Sequence, residues 1–531
     1  MHDLLTEPLI GVRMGEVNCR LNLPELLAQL CAGNVDGYTG VRAHQADPWH
    51  VFLVQIAAGI LARQPRDVPP PDEAFWRDGL LMLADGNAHA WHLVVEDVTQ
   101  PAFLQHPWKA WTEDAKDFGV TTRRRQTITD PKARTPDELD VLVTAKNHDV
   151  KARRFCEDET EAWLYALLVY QTTSGFLGAG NYGIVRMNGG FGSRPIITWV
   201  SELHPSRRFL EELAIVRTIR SDTIESYGYN PSGRVLTWLE SWDRGTHQYS
   251  LKDLDPYFVE ACRPVRLWPE AGGGLQALGA TTKARQIGPK SLESGDVGDP
   301  WIPMNTDNKK GHAALTVSGE GFSPRLVTRL LFEDGFERTA LQKPRSGDTH
   351  GWFIASVLVR GQGKTEGFHR LELPIPSKAK MTLGRPKGDP ARQLAAECAQ
   401  ALLSDAKEAA NALRTALTVL AEGGPEQTNF EREAVKRWVG AVMLDFERRW
   451  PPQYYLMLWR ACEDPKEKVI ADWHAWLIEV VQGILDEAEA GLPVPSNRHW
   501  RALTQARAAL IGVLRKKHLW PETKTVEEEP A

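Results

Sequence analysis

The stretch Ser174-Gly-Phe-Leu-Gly-Ala-Gly-Asn-Tyr-Gly-Ile-Val-Arg-Met-Asn-Gly-Gly-Phe-Gly-Ser-Arg-Pro195 constrains this chain more than any other, with glycines at 175, 178, 180, 183, 189, 190 and 192. Glycine reaches positive φ without penalty and leaves no Cβ to keep a flat or charged ligand from the backbone amides. The stretch is therefore expected to form a loop that lies against something. It also carries Asn181, Arg186, Asn188 and Arg194, side chains suited to phosphate or base-edge contact. Gly178-x-Gly180-x-x-Gly183 has the spacing of a dinucleotide fingerprint, but that site needs a strand before the glycines and a helix after them. Here residues 159–170 predict a helix before the strip, and 183–187 and 195–200 predict strands after it. The order is reversed, which argues against a dinucleotide site. A tight connection with no ligand is the alternative.

A chain of 531 residues is too long for one core and implies two or three domains. Its 42% hydrophobic and 25% charged residues are those of an ordinary globular protein. The formal net charge of -6 argues against a surface coated in cations, so any nucleic-acid contact must be local or shared with basic partners. Cys19, Cys31, Cys156, Cys262, Cys398 and Cys462 are scattered with no C-x-x-C, which indicates neither a disulfide framework nor a zinc ribbon and fits a reducing cytoplasm. The first residues lack a basic region followed by an apolar one, and no run of about eighteen apolar residues occurs. A cytoplasmic protein without a membrane partner is expected. The 19 tryptophans point to large cores or interfaces.

Taken in order, Leu9 to Arg13 and Glu16 to Leu21 predict a hairpin, and Asn22 a helix start. His44 and His50 invite a metal reading, but no acid-rich or cysteine partner stands at ligand spacing. A helix entrance capped by Asp47-Pro48, leading into Val51-Phe-Leu-Val-Gln-Ile, explains the segment instead. Lys146, Asn147, His148, Lys151, Arg153 and Arg154 gather positive charge and amide groups that would grip a nucleic-acid backbone, or else form a solvated loop. A helix is expected over Pro205 to Arg217. From 262 to 385 short β-like runs follow: Ala313 to Val317, Leu326 to Phe332, Trp352 to Val359 and His369 to Pro374. Basic points stand at Lys290 and at Lys309-Lys310. Gly363-Lys364-Thr365 imitates the end of a P-loop, but the leading glycine is replaced by Leu358 and a strand follows. The stretch predicts a β-hairpin whose tip presents Gln362, Lys364 and Thr365.

After the linker at 374–390 the chain becomes helical. Leu394, Cys398, Leu402, Ala409, Leu413, Leu417 and Leu420 keep one apolar stripe. A second helix is expected from Asn429 to Arg449, stopped by Pro451-Pro452; a third opens at Asp464-Pro465; a fourth follows Pro495-Ser496. The expected fold class is α+β, a large mixed N-terminal domain over 1–385 and an up-down four-helix bundle over 386–520, with a disordered acidic tail at 521–531.

With these pieces in order, the chain resembles the CasA family, the large subunit of the type I-E CRISPR surveillance complex Cascade. The resemblance begins at Leu4-Leu-Thr-Glu-Pro-Leu-Ile-Gly-Val-Arg13. It includes Met187-Asn-Gly-Gly-Phe-Gly-Ser-Arg-Pro195, Gly298-Asp-Pro-Trp-Ile-Pro303 and Arg360 to Arg370, and ends in the bundle with Ala506-Arg-Ala-Ala-Leu-Ile. It implies a subunit, not itself an enzyme, that recognises a protospacer-adjacent motif (PAM) in double-stranded DNA from the minor-groove side, starts duplex opening, and offers a landing surface for a helicase-nuclease. The family's glycine loop would map onto Gly178, Gly180, Asn181, Asn188, Gly189, Gly190 and Gly192. Its lysine finger would be Lys290, its basic pair Lys309 and Lys310, and its wedge hairpin Gly363, Lys364 and Thr365. The loop toward the guide RNA and the backbone subunit would be Lys146, Asn147, His148 and Lys151. The implied partners are target DNA, the crRNA, other Cascade subunits and the helicase-nuclease, with no cofactor and no metal. The alternatives are a metal-dependent nuclease or a purely structural scaffold; against the former, the sequence carries no His-Glu-x-x-His and no G-x-S-x-G elbow.

Overall fold

A computed structural model describes residues 2–108, 133–140, 160–177, 180–188, 194–241, 248–270, 274–280, 282, 284–288, 294–307, 311–345, 350–361, 364–424, 428–491 and 496–521, with side chains other than those of 360–366 and 496–497. The chain divides into two compact units. The first comprises Met1–Phe322 and Gly335–Pro374; the second comprises Ser323–Asp334 and Ile375–Ala531.

The first unit opens with the expected hairpin, β1 (Ile10–Met14) and β2 (Val17–Leu21), paired from Ile10↔Leu21 to Met14↔Val17. β3 (Gly37–Tyr38) completes this sheet in the order β2-β1-β3. Asn22 caps α1 (Leu23–Ala32) by accepting from the Glu25 N–H. The centre of the unit is α2 (Ala43–Arg63), in which every residue from His44 to Leu61 except Ala46 is buried. From α2 come Trp49 and Phe52, whose rings lie 5.4 Å apart in a stack. Around it stand α3 (Glu73–Leu83), the short turn α4 (Pro136–Leu139), α5 (Thr160–Thr172) and α6 (Pro205–Tyr227). Tyr165 from α5 meets Trp49 edge-on at 5.3 Å, and Phe103 meets Phe52 at 5.6 Å.

The expectation for the start of α2 is corrected here. The helix begins at Ala43, not at Asp47-Pro48, and Pro48 lies inside it. An interior proline costs about 3 kcal/mol, which burial of the apolar side chains along α2 offsets.

The remaining strands form small sheets. β4 (Ile196–Val200) pairs with β12 (Gly351–Gly361), which pairs in turn with β13 (Lys364–Ile375). β5 (Arg234–Leu236) lies parallel to β6 (Leu254–Val259), and β7 (Val265–Pro269) antiparallel to β8 (Leu275–Gly279). β9 (Met304–Asn305) carries β10 (Ala313–Ala314) on one side and β11 (Phe336–Glu337) on the other. No strand forms over 183–187, where the backbone bends instead, and α6 runs ten residues past Arg217 to the left-handed Gly228.

In the second unit, Leu326 to Phe332 is helix and not strand. Ser323 accepts from the Leu326 N–H, Pro324 sits in the first turn, and α7 (Pro324–Phe332) follows. After α8 (Ser377–Leu383) come the four long helices of the bundle: α9 (Pro390–Ala421), α10 (Glu433–Arg460), α11 (Lys466–Ala490) and α12 (Ser496–Lys516). α9 packs against the other three, and the Trp473 indole donates to the Leu402 carbonyl at 3.0 Å. Pro451-Pro452 does not stop α10, whose buried residues run on through Tyr454, Leu458 and Trp459. Leu394, assigned to the apolar stripe by spacing, is 50% exposed.

α7 is an insertion that belongs to the bundle. Val327, Leu330 and Leu331 are buried, Thr328 Oγ1 meets the Tyr454 hydroxyl at 2.5 Å, and Glu333 accepts from Arg392 at 2.7 Å. A chain ended at residue 385 keeps α7 but loses α9 and α10, exposing side chains worth about 1.5–3 kcal/mol each when buried. It is expected to aggregate in size-exclusion chromatography. A chain ended at 374 with 323–334 replaced by a Gly/Ser linker is expected to stay monodisperse; equal behaviour of the two would detach α7 from the bundle.

Candidate nucleic-acid interface

The glycine strip leaves the C-terminal end of α5, where the chain is held tightly. The Gln171 amide donates to the carbonyls of Leu104 and Arg263, both at 2.8 Å, and its oxygen accepts from the Arg263 N–H. The Arg263 guanidinium in turn donates to the Tyr170 carbonyl at 2.6 Å and to the Gly175 carbonyl, and it lies over the Tyr170 ring. The strip then folds on itself: Leu177 N donates to Asn181 O at 2.9 Å and Ile184 N to Ser174 O at 3.3 Å. Two glycines have specific reasons to be there. Gly180 sits at φ 78°, and a Cβ on Gly183 would stand 2.6 Å from the Gly175 carbonyl carbon.

Beyond that turn the strip is fastened from beneath. The buried Glu260 carboxylate accepts from the Val185 N–H at 2.9 and 3.0 Å. Arg186 donates to the carbonyls of Phe258 and Pro256 and stacks 3.9 Å over the Phe258 ring. Arg186 and Arg194 both approach Asp299 Oδ2, at 3.4 and 2.6 Å. This corrects the expectation for the two arginines. Both are buried and spent on an internal carboxylate, because a guanidinium removed from water needs its counter-charge beside it. Phosphate contact is not their task.

Of the strip residues assigned to DNA, Gly180, Asn181 and Asn188 are half-buried. Gly178, Gly189, Gly190 and Gly192 lie outside the described residues, as do Lys290, Lys309, Lys310, Lys146, Asn147, His148, Lys151 and Gly363. Lys364 and Thr365 begin β13, so the expected hairpin over 351–375 is present and the P-loop reading is excluded by a strand where a helix would be needed.

The hairpin is braced at its base. Arg370 on β13 donates to Asp47 on α2 at 3.0 Å, and Asp47 also receives Arg208 from α6 at 2.5 Å. Burial would raise the Asp47 carboxyl, but the Arg208 and Arg370 charges outweigh it and hold it down at about 2. The histidines that invited a metal are likewise committed: His44 contacts Asp140 at 2.8 Å and His50 contacts Glu212 at 3.1 Å. Among the described residues no group of three or more His, Cys, Asp or Glu stands together as a metal site, and no described helix is long and apolar enough to cross a membrane.

Sequence reasoning missed Asp47, Glu212, Glu260 and Asp299, the acids that hold the strip and the hairpin. Asp299 had a signal, lying within Gly298-Asp-Pro-Trp-Ile-Pro303, and Asp47 had one that was read as a helix cap. For Glu260, burial outweighs the Val185 N–H and the nearby arginines and raises the carboxyl to about 7. The native state therefore keeps a proton that the unfolded chain releases above its ordinary value near 4.5, and stability falls as pH rises from there through about 7. Glu260→Gln, which keeps an acceptor for Val185, is expected to raise Tm relative to the parent at pH 8 and to lose that advantage at pH 5. The same Tm difference at both would deny the raised carboxyl.

No protein-family model matches this chain, and no curated protein matches it in sequence. Solved structures do match in fold. CasA of Thermus thermophilus is similar at 16% identity and a TM-score of 0.63, covering 97% of this chain and 99% of that one. The CRISPR-associated protein Cse1 from Acidimicrobium ferrooxidans is similar at 15% identity and 0.63, covering 98% and 99%. Cse1 of Thermobifida fusca is similar at 13% and 0.61, covering 98% of each. From end to end, both units included, this chain has the fold of the CRISPR-associated proteins CasA and Cse1.

Proposed function

We propose that this protein is the large subunit of a type I-E RNA-guided CRISPR surveillance complex, which senses the PAM in double-stranded DNA and begins to open the duplex without breaking a bond. The observation that carries the proposal is the fold likeness over 97% of the chain to CasA. A chain in a structure titled "CRISPR RNA-guided surveillance complex" is also similar, at 15% identity and a TM-score of 0.58. The anchored glycine strip and the braced hairpin add chemistry to that likeness.

Side-chain-poor backbone in a minor groove meets a degenerate edge pattern, so several PAM sequences would be tolerated. The hairpin tip, with Lys364 and Thr365, would enter the end of the duplex as a wedge. Unstacking a base step costs a few kcal/mol, which the PAM contacts help to offset. Pairing with the crRNA then reads the sequence, and other subunits supply most of the phosphate neutralisation, which reconciles DNA handling with a net charge of -6. Lys290, Lys309 and Lys310 are proposed as further contacts to the duplex, Lys146 to Lys151 as the contact to the guide and backbone subunit, and the bundle as the surface that recruits a helicase-nuclease.

In an assembled complex, Lys364→Ala is expected to weaken binding of a PAM-containing duplex about tenfold, equivalent to about 1.4 kcal/mol, while sparing a target whose strands are already separated. Filter-binding titrations on the two substrates separate the outcomes. Equal losses on both would mean that the hairpin is scaffold and no wedge.

A further inference from the structure

The glycine strip and the hairpin are distant in sequence, yet their buried polar groups meet in one unbroken series. Arg370 Nε on β13 lies 3.0 Å from Asp47 Oδ2, and Asp47 Oδ1 lies 2.5 Å from Arg208 Nη1. Arg208 Nε donates to Glu212 Oε1 at 2.9 Å, and Glu212 Oε2 accepts from the Trp301 indole N–H at 2.7 Å. The Trp301 backbone N–H donates to Asp299 Oδ1 at 3.0 Å, and Asp299 Oδ2 holds Arg194 at 2.6 Å. Apart from Arg370, whose side chain is 30% exposed, the charged side chains in the series are at most 7% exposed.

A second connection runs through the backbone. β4 begins two residues after Arg194 and pairs with β12, the first strand of the hairpin, from Ile196↔Ser356 to Val200↔Trp352. Each acid in the series serves more than one partner: Asp47 two arginines, Glu212 an arginine, a histidine and an indole, Asp299 two arginines and a backbone N–H. Removing Arg208, the cation shared by Asp47 and Glu212, leaves buried charge under-compensated, and each remaining link is a charge-assisted contact, so a shift at one end is passed to the next.

We infer that this series couples the hairpin to the glycine strip, with Arg370 and Arg194 as positioning residues at its ends, so that the two elements hold one fixed spacing. Its consequence for DNA rests on the proposed function; the coupling itself does not. β4 supports the hairpin along β12, and the contact of Arg370 with Asp47 ties the second strand, β13, to α2. A reader and a wedge kept in register would convert a correct PAM fit directly into strand entry, whereas independent elements would waste the binding free energy of one when the other is misplaced.

Hydrogen–deuterium exchange on the full chain tests the coupling without DNA. Arg370→Gln removes one charge from Asp47 at the exposed end of the series. It is expected to speed exchange about tenfold in peptides spanning 184–194, which hold the Val185 and Arg194 N–H groups, while the bundle peptides keep their rate. Arg370→Lys, which keeps a cation at Asp47, is expected to restore most of the protection. The reciprocal variant Arg194→Lys is expected to speed exchange in 367–374, and it serves if Arg370→Gln does not fold. Unchanged exchange at the far end in both variants overturns the inference. In the assembled complex, Arg370→Gln and Asn188→Ala are combined in a double-mutant cycle on PAM-duplex binding. Fold-losses that fail to multiply support the coupling, and losses that simply multiply overturn it. Exchange coupling with no effect of any variant on DNA binding would instead sink the DNA reading and leave the coupling standing.

Discussion

A carboxylate sealed from water persists only beside its counter-charge, and Asp47 in the middle of the first unit has two. α2 is buried along its length, so each of its polar residues has to be answered by a neighbour, and those answers place the neighbours. Asp140 answers His44 and Gln45, Arg208 and Arg370 answer Asp47, Glu212 answers His50, and the carbonyls of Tyr257 and Phe258 answer Gln55. In this way one helix fixes α6, β6 and β13 around an aromatic core. The glycine strip is treated alike, with Glu260 under Val185 and Asp299 under Arg186 and Arg194. The elements proposed to meet DNA are thus held by buried acids, two of them in ionic pairs with arginines.

Local signals made much of the fold legible. The hairpins at 10–21 and 351–375, the cap at Asn22 and the helices of the bundle all follow from period and capping residues. What sequence reasoning lost were places where tertiary burial overrides a local rule. Pro48, Pro451 and Pro452 stay within helices because the apolar residues on both sides of them are packed. Leu326 to Phe332 carries an apolar run too short to separate helix from strand by period, although Ser323-Pro324 was a usable helix start. The arginines of the glycine strip looked like ligand contacts because their acid, Asp299, lies far along the chain. A short stretch cannot reveal whether a cation faces water or a buried partner. The resemblance in the sequence, by contrast, rested on the order of many weak motifs, and the fold comparison covers 97–98% of the chain.

The division of labour that follows is economical in charge. A protein of net charge -6 cannot hold DNA by a cationic coat. In the proposed function it would feel a short duplex with backbone and a few amino groups, provided these are held still, and leave sequence reading to a guide strand. Holding them still is the role proposed for the buried pairs.

The most direct test places a photoreactive amino acid at position 188 of the strip, and separately at position 364 of the hairpin, in an assembled complex loaded with crRNA. Irradiation on a PAM-bearing duplex should crosslink both positions to nucleotides within and beside the PAM, and a scrambled PAM should abolish both. Crosslinks from these positions to protein alone, or equal crosslinks whatever the PAM, would contradict the account.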